Sequence, residues 1–154
     1  APQPGRQESR PEVRAAGLLE LSAYQGFQAR ADKVKDDLLH FLIEQKRAGK
    51  KVAAYGAAAK GNTLLNYAGV KPDLLPFVCD AAPAKQGKFM PGSHIPILPP
   101  SALRIHKPDF VLILPWNIAD EVSAQHGYVH EWHAQYVVAV PQLAVTLGNH
   151  RTDG

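Results

Sequence analysis

The sequence predicts an α/β domain: a Rossmann-like three-layer sandwich with a mainly parallel sheet, preceded by a long N-terminal helix. Three observations predict it. Short, β-branched, nearly continuous apolar runs recur along the chain, as strands buried on both faces do. Helix-patterned segments separate most of them, which implies right-handed crossovers between parallel strands. The 154 residues, 45% of them apolar, suffice to close one hydrophobic core.

Residues 1–14, APQPGRQESRPEVR, combine Pro, Gly and Arg with almost no apolar content. They read as a flexible lead or an interdomain linker, taken here as far as residue 17. From Leu18 to about Ala48 the pattern is helical. Val34, Leu38, Leu39, Leu42 and Ile43 recur at steps of three and four against a face bearing Lys33, Lys35, Asp36, Glu44 and Lys46, and Gly49 ends the helix. A weaker, separate helix signal covers Gly17–Tyr24. Four strands are expected at Lys51–Tyr55 (KVAAY), Leu74–Cys79 (LLPFVC), Phe110–Leu114 (FVLIL) and Tyr136–Val140 (YVVAV). Helices are expected at about 61–68 and 117–132. Ile95–Leu98 (IPIL) adds a short strand whose proline marks it as an edge or a loop. The domain spans 18–141, and 142–154 form a C-terminal tail.

Composition excludes several classes. No apolar run approaches the roughly 18 residues of a membrane span. The net charge of +3 is mild and its Lys and Arg are dispersed, which argues against nucleic acid and fits a small anionic ligand. Cys79 is the single cysteine, so no internal disulfide framework exists; it reads as a small buried hydrophobe in a reducing compartment. No secretory apolar segment opens the chain, and a cytoplasmic location is expected. The first residue is Ala and the sole methionine is Met90, as expected of a chain processed after its initiator or cut from something longer.

The chemistry centres on Gly56–Asn62, GAAAKGN, where the first strand ends and a helix begins. Unpaired N–H groups and the positive end of the dipole make such a helix mouth attract phosphate. Small residues admit a ligand close to the backbone, and Lys60 adds a full charge. A P-loop places its lysine after the second glycine, followed by Ser or Thr; here Lys60 precedes Gly61 and Asn62 follows, which excludes an NTPase. The dinucleotide motif G-x-G-x-x-G is also missing. The glycines alternatively do no more than permit a tight turn.

Asp80, nineteen residues beyond Gly61, ends the second strand and suits either ribose hydroxyls or a turn bonded to its own backbone. The long connection PAKQGKFMPGSHIP offers Lys85, Lys88 and His94 as ligand contacts or as solvated surface residues. Asn117 reads as a helix N-cap, and Trp116 as a wall of the crevice outside the strand ends. His126, His130 and His133 are spaced to share a helix face, but no complementary Cys or acid accompanies them, so no metal site is expected. No nucleophile elbow is present.

The run AYGAAAKGNTLLNY, followed in order by PAKQGKFMPGSHIP, KPDFVLILPWN and YVVAVP, resembles the C-terminal domain of the sugar C-methyltransferases over about Leu18–Pro141. These enzymes transfer a methyl group from S-adenosylmethionine to a carbon of a nucleotide-linked keto-sugar. The resemblance implies a zinc-binding N-terminal segment and a central methyltransferase domain upstream in the same polypeptide. It also implies that this module helps to hold the nucleotide sugar, of thymidine diphosphate type. The matching residues are Gly56, Lys60, Gly61, Asn62, Asp80, Lys85, Gly87, His94, Pro115, Trp116 and Asn117. The donor domain and the zinc cysteines are absent from this chain, so it is expected to bind without methylating, and no catalytic base is assigned. Two competing readings are a free-standing regulatory module for coenzyme A or NAD, and a protein-interaction domain without a ligand.

Overall fold

The structure, a computed structural model, describes residues 11–146, with side chains at residue 26 and from residue 28 onward. The chain divides into two units, residues 1–33 and 34–154. Helix α1 spans Pro11–Arg47. It starts earlier than the expected Leu18, so 11–14 are helical and Gly17–Tyr24 forms no separate helix. The stretch PEVRAAGLLEL supplies good helix formers, and proline suits a first helical turn. The remainder of the expected lead, 1–10, and of the tail, 147–154, lies outside the described residues. In the first unit Gln28 Nε2 donates to Asp32 Oδ1 at 3.2 Å, one helical turn on. In the second, the end of α1 buries Leu38, Phe41 and Leu42. Gly49 follows in the left-handed conformation (φ 79°), with its N–H on the Lys46 carbonyl.

The second unit continues as β1 (Val52–Tyr55), α2 (Ala59–Ala68), β2 (Val78–Cys79), β3 (Ile97–Leu98), α3 (Ser101–His106), β4 (Phe110–Ile113), α4 (Ala119–Gln125), β5 (Gln135–Val138) and β6 (Ala144–Val145). The described strands form one sheet in the order β3-β2-β1-β4-β5-β6, parallel throughout except for the antiparallel β5–β6 pair. The α/β fold with a mostly parallel sheet is as the sequence predicts. The register places Val52 opposite Phe110 and Tyr55 opposite Ile113.

Side chains alternate across the sheet with the period of two that strands impose. Val52, Ala54, Val78, Leu112 and Val137 pack with Leu38, Leu42 and Leu65 on one face. Ala53, Tyr55, Cys79, Val111, Ile113 and Tyr136 pack with Leu103, Val122 and Val129 on the other. Each large buried side chain contributes about 1.5–3 kcal/mol.

Four details differ from the sequence reading. β2 is two residues long, because Pro76 lacks the N–H that a central strand needs. The expected 117–132 helix is three pieces: a 3₁₀ turn at Trp116–Ile118, α4, and a 3₁₀ segment at Gly127–Trp132. α3 and β6 were not expected. β3 is an edge strand, as its proline implied. Among the described residues no helix is long and apolar enough to cross a membrane.

Candidate functional site

From β1 the chain moves outward through β2 to β3, then returns to lay β4 against the other side of β1. Ligands of such sheets bind in the crevice outside the strand carboxyl ends where the order reverses. Gly56 leaves β1 at φ 95°, and a Cβ there would lie 2.4 Å from Pro115 Cδ. A Cβ on Gly61 would lie 2.5 Å from Leu114 Cβ. The two glycines therefore serve a tight turn packed against the end of β4.

The turn spends most of its own donors. Gly56 N–H bonds the Cys79 carbonyl at 2.7 Å, Ala58 N–H the Gly56 carbonyl at 2.8 Å, and Ala57 N–H the Asp80 carboxylate at 2.7 Å. Asn62 N–H closes the first helical bond, to Ala58 at 2.9 Å. Ala59, Lys60 and Gly61 lie between as the first turn of α2, whose N-terminus has no side-chain cap among the described residues. Their N–H groups are the ones that point out of the helix mouth.

The Asp80 carboxylate is bonded to the backbone of the turn. Its Oδ1 accepts from Ala82 N–H at 2.8 Å, two residues on, while Oδ2 holds Ala57 N–H. Lys85 Nζ sits 3.9 Å from Oδ2 and donates to the Ala57 carbonyl at 2.9 Å. Gln86 Nε2 donates to the Asp80 carbonyl at 2.8 Å.

The other candidate residues fall on two sides of the turn. Toward β4, the exposed Lys60 ammonium lies 5.9 Å from the centroid of the Trp116 ring, within cation–π range. Toward β3, Asn62, Lys85 and Lys88 line a cleft of about 440 Å³ together with Ala57, Phe89, Met90 and Ile97. Asn62 Oδ1 is buried there without a hydrogen-bond partner among the described residues. Asn117 caps no helix; it lies exposed inside the 3₁₀ turn, because the chain enters α4 only at Ala119. His94 is exposed at φ 61° and does not line the cleft.

The long connection is a hairpin and not an open loop. Gly87 N–H bonds the Ile97 carbonyl, Ile97 N–H the Lys88 carbonyl, and Met90 N–H the Ile95 carbonyl, with Phe89 bridged to Pro96. Asn66 Nδ2 holds the tip through the Pro91 carbonyl at 3.0 Å. The apolar contribution of Phe89, Met90 and Ile97 to the cleft was not anticipated; the apolar pair Phe89–Met90 directly before the PG turn was the available signal.

The three histidines do not share a face, since α4 stops at Gln125. His126 Nδ1 meets the Tyr128 hydroxyl at 2.9 Å, His130 Nδ1 the Ala134 carbonyl at 3.0 Å, and His133 turns left-handed at φ 66°. Among the described residues no three His, Cys, Asp or Glu side chains are grouped to hold a metal ion. Burial pulls the His126 pKa below 6.5. It pushes the Cys79 thiol from 9.0 up to about 12 and, with Asp80 nearby, raises Tyr55.

The family model for the C-methyltransferase C-terminal domain matches residues 4–141. C-methyltransferase NovU of Streptomyces niveus is 34% identical over 134 residues, which is 87% of this chain and 32% of that protein. The chain thus spans about a third of the length of this curated relative. The turn, cleft and strand ends described above all fall within the matched region, and the chain belongs to the C-methyltransferase C-terminal domain family.

Proposed function

We propose that this domain holds a keto-sugar nucleotide, of thymidine diphosphate type, for methyl transfer by a separate domain of the same polypeptide. The observation that supports it is the uncapped first turn of α2. It sits at the carboxyl end of β1 beside the point where the strand order reverses, with Lys60 and Trp116 on one flank and Lys85 and Lys88 on the other. The three outward N–H groups and the dipole accept a diphosphate, and Lys60 adds its charge. Trp116 walls the crevice, while the amide of Asn62 and the apolar lining of the cleft receive an uncharged part of the ligand.

The chain supplies no catalytic base in this reading. In this reading S-adenosylmethionine is held by the catalytic domain and a structural zinc by a further segment, as the resemblance to the sugar C-methyltransferases implies. Titration calorimetry with a thymidine diphosphate sugar tests the reading. Saturable binding that coenzyme A and NAD do not displace is expected; displacement by either would favour an adenine-nucleotide module instead. The purified chain is also expected to transfer no methyl group from S-adenosylmethionine to the sugar nucleotide.

A further inference from the structure

We propose that Asp80 and Lys85 form a positioning pair that sets the direction of the anion-binding turn, and that Asp80 is not a ribose acceptor. The proposal rests on the reading of that turn as a diphosphate site. Ala57 immediately precedes Ala58, from which α2 starts. Both of its backbone polar groups are gripped by side chains of opposite charge: its N–H by Asp80 Oδ2 at 2.7 Å and its carbonyl by Lys85 Nζ at 2.9 Å.

Asp80 is itself held still. Its N–H bonds the Leu98 carbonyl at 3.0 Å, and its carbonyl accepts from Gln86 Nε2 at 2.8 Å. The Asp80 side chain is only 14% exposed, and each carboxylate oxygen already takes a backbone N–H. A ribose hydroxyl reaching it would find both oxygens already engaged by backbone N–H groups, with one further lone pair on each inside a side chain that has little solvent access. The neighbouring Lys85 ammonium offsets a negative charge that would otherwise repel a diphosphate on the same turn. The sequence position of Asp80, at the tip of the second strand, is that of a ribose acceptor; its bonds are those of a brace.

Asp80→Asn separates the two roles, because its amide must set an NH₂ against either Ala57 N–H or Ala82 N–H. The probes are thymidine diphosphate and inorganic diphosphate, the second lacking ribose. A positioning role predicts that both affinities fall by the same factor, about tenfold or more. Amide exchange at Leu112 and Val137 in the far part of the sheet should stay unchanged. Loss of thymidine diphosphate binding with inorganic diphosphate unaffected would identify a ribose acceptor and overturn the proposal, as would two unchanged affinities. Hydrogen exchange of the wild-type amides decides the brace even if the variant does not fold. Ala57 and Ala82 are expected to be protected, and free exchange at either would overturn it. A wild type that binds neither probe contradicts the diphosphate reading, and with it the role in positioning, whereas protection of Ala57 would still uphold its bond to Asp80.

Discussion

Gly61 of α2 and Leu114 at the end of β4 are so close that a Cβ on the glycine would lie 2.5 Å from the leucine Cβ. No rotamer change moves a Cβ, so only the backbone of α2 or β4 can give way. Gly61→Ala should therefore destabilise the domain by about 1–3 kcal/mol, the usual cost of overpacking a close-packed interior. Urea denaturation measures it. Unchanged stability would mean that α2 has slack against the sheet.

Cys79 is fully buried, and its thiol is pushed up to about 12. The thiolate is the reactive form, so a disulfide reagent at pH 8 should leave the native protein unmodified and label it only after denaturation. Because the thiol binds its proton more tightly when folded, its contribution to stability is complete below pH 9 and is lost as pH rises from 9 toward 12. Rapid labelling of the native protein would contradict the burial.

His126 titrates in the opposite sense. Its ring packs 4.3 Å from that of Tyr55, its Nδ1 meets the Tyr128 hydroxyl, and burial favours the neutral imidazole. The unfolded chain takes up the proton first, so the stability due to this group is present above pH 6.5 and is lost as pH falls through the window below it. Denaturant midpoints at pH 7.5 and 5.0 should differ more for the wild type than for His126→Gln. An equal difference in both would place the acid sensitivity elsewhere.

Strands with continuous apolar runs were readable from sequence because burial on both faces leaves no polar residue to confuse the pattern, as in VAAY and FVLI. The ends and interruptions were less so. Pro76 shortened β2, since its effect depends on which neighbours need its missing N–H. The helix expected over 117–132 breaks after Gln125, where His126 closes the last turn of α4 and Gly127 opens a 3₁₀ segment. α3 and β6 were missed because six and two residues are too short for any periodicity to register. At the site, Gly56 and Gly61 announced the turn, but the sequence did not reveal that both are needed against Pro115 and Leu114. Asp80 announced a polar role whose target, Ala57, lies twenty-three residues away and is fixed only by the β1–β2 pairing.

The most direct test of the diphosphate site is titration calorimetry of wild type and Lys60→Ala with a thymidine diphosphate sugar. Lys60 is exposed in the first turn of α2 with its ammonium over Trp116, so its removal should leave the melting temperature nearly unchanged. Loss of a hydrogen bond between charged groups, about 1.5–3 kcal/mol, corresponds to roughly a ten- to hundred-fold weaker affinity. Saturable binding weakened by that factor, at a normal melting temperature, is the predicted result; equal affinities, or no binding by the wild type, would contradict it.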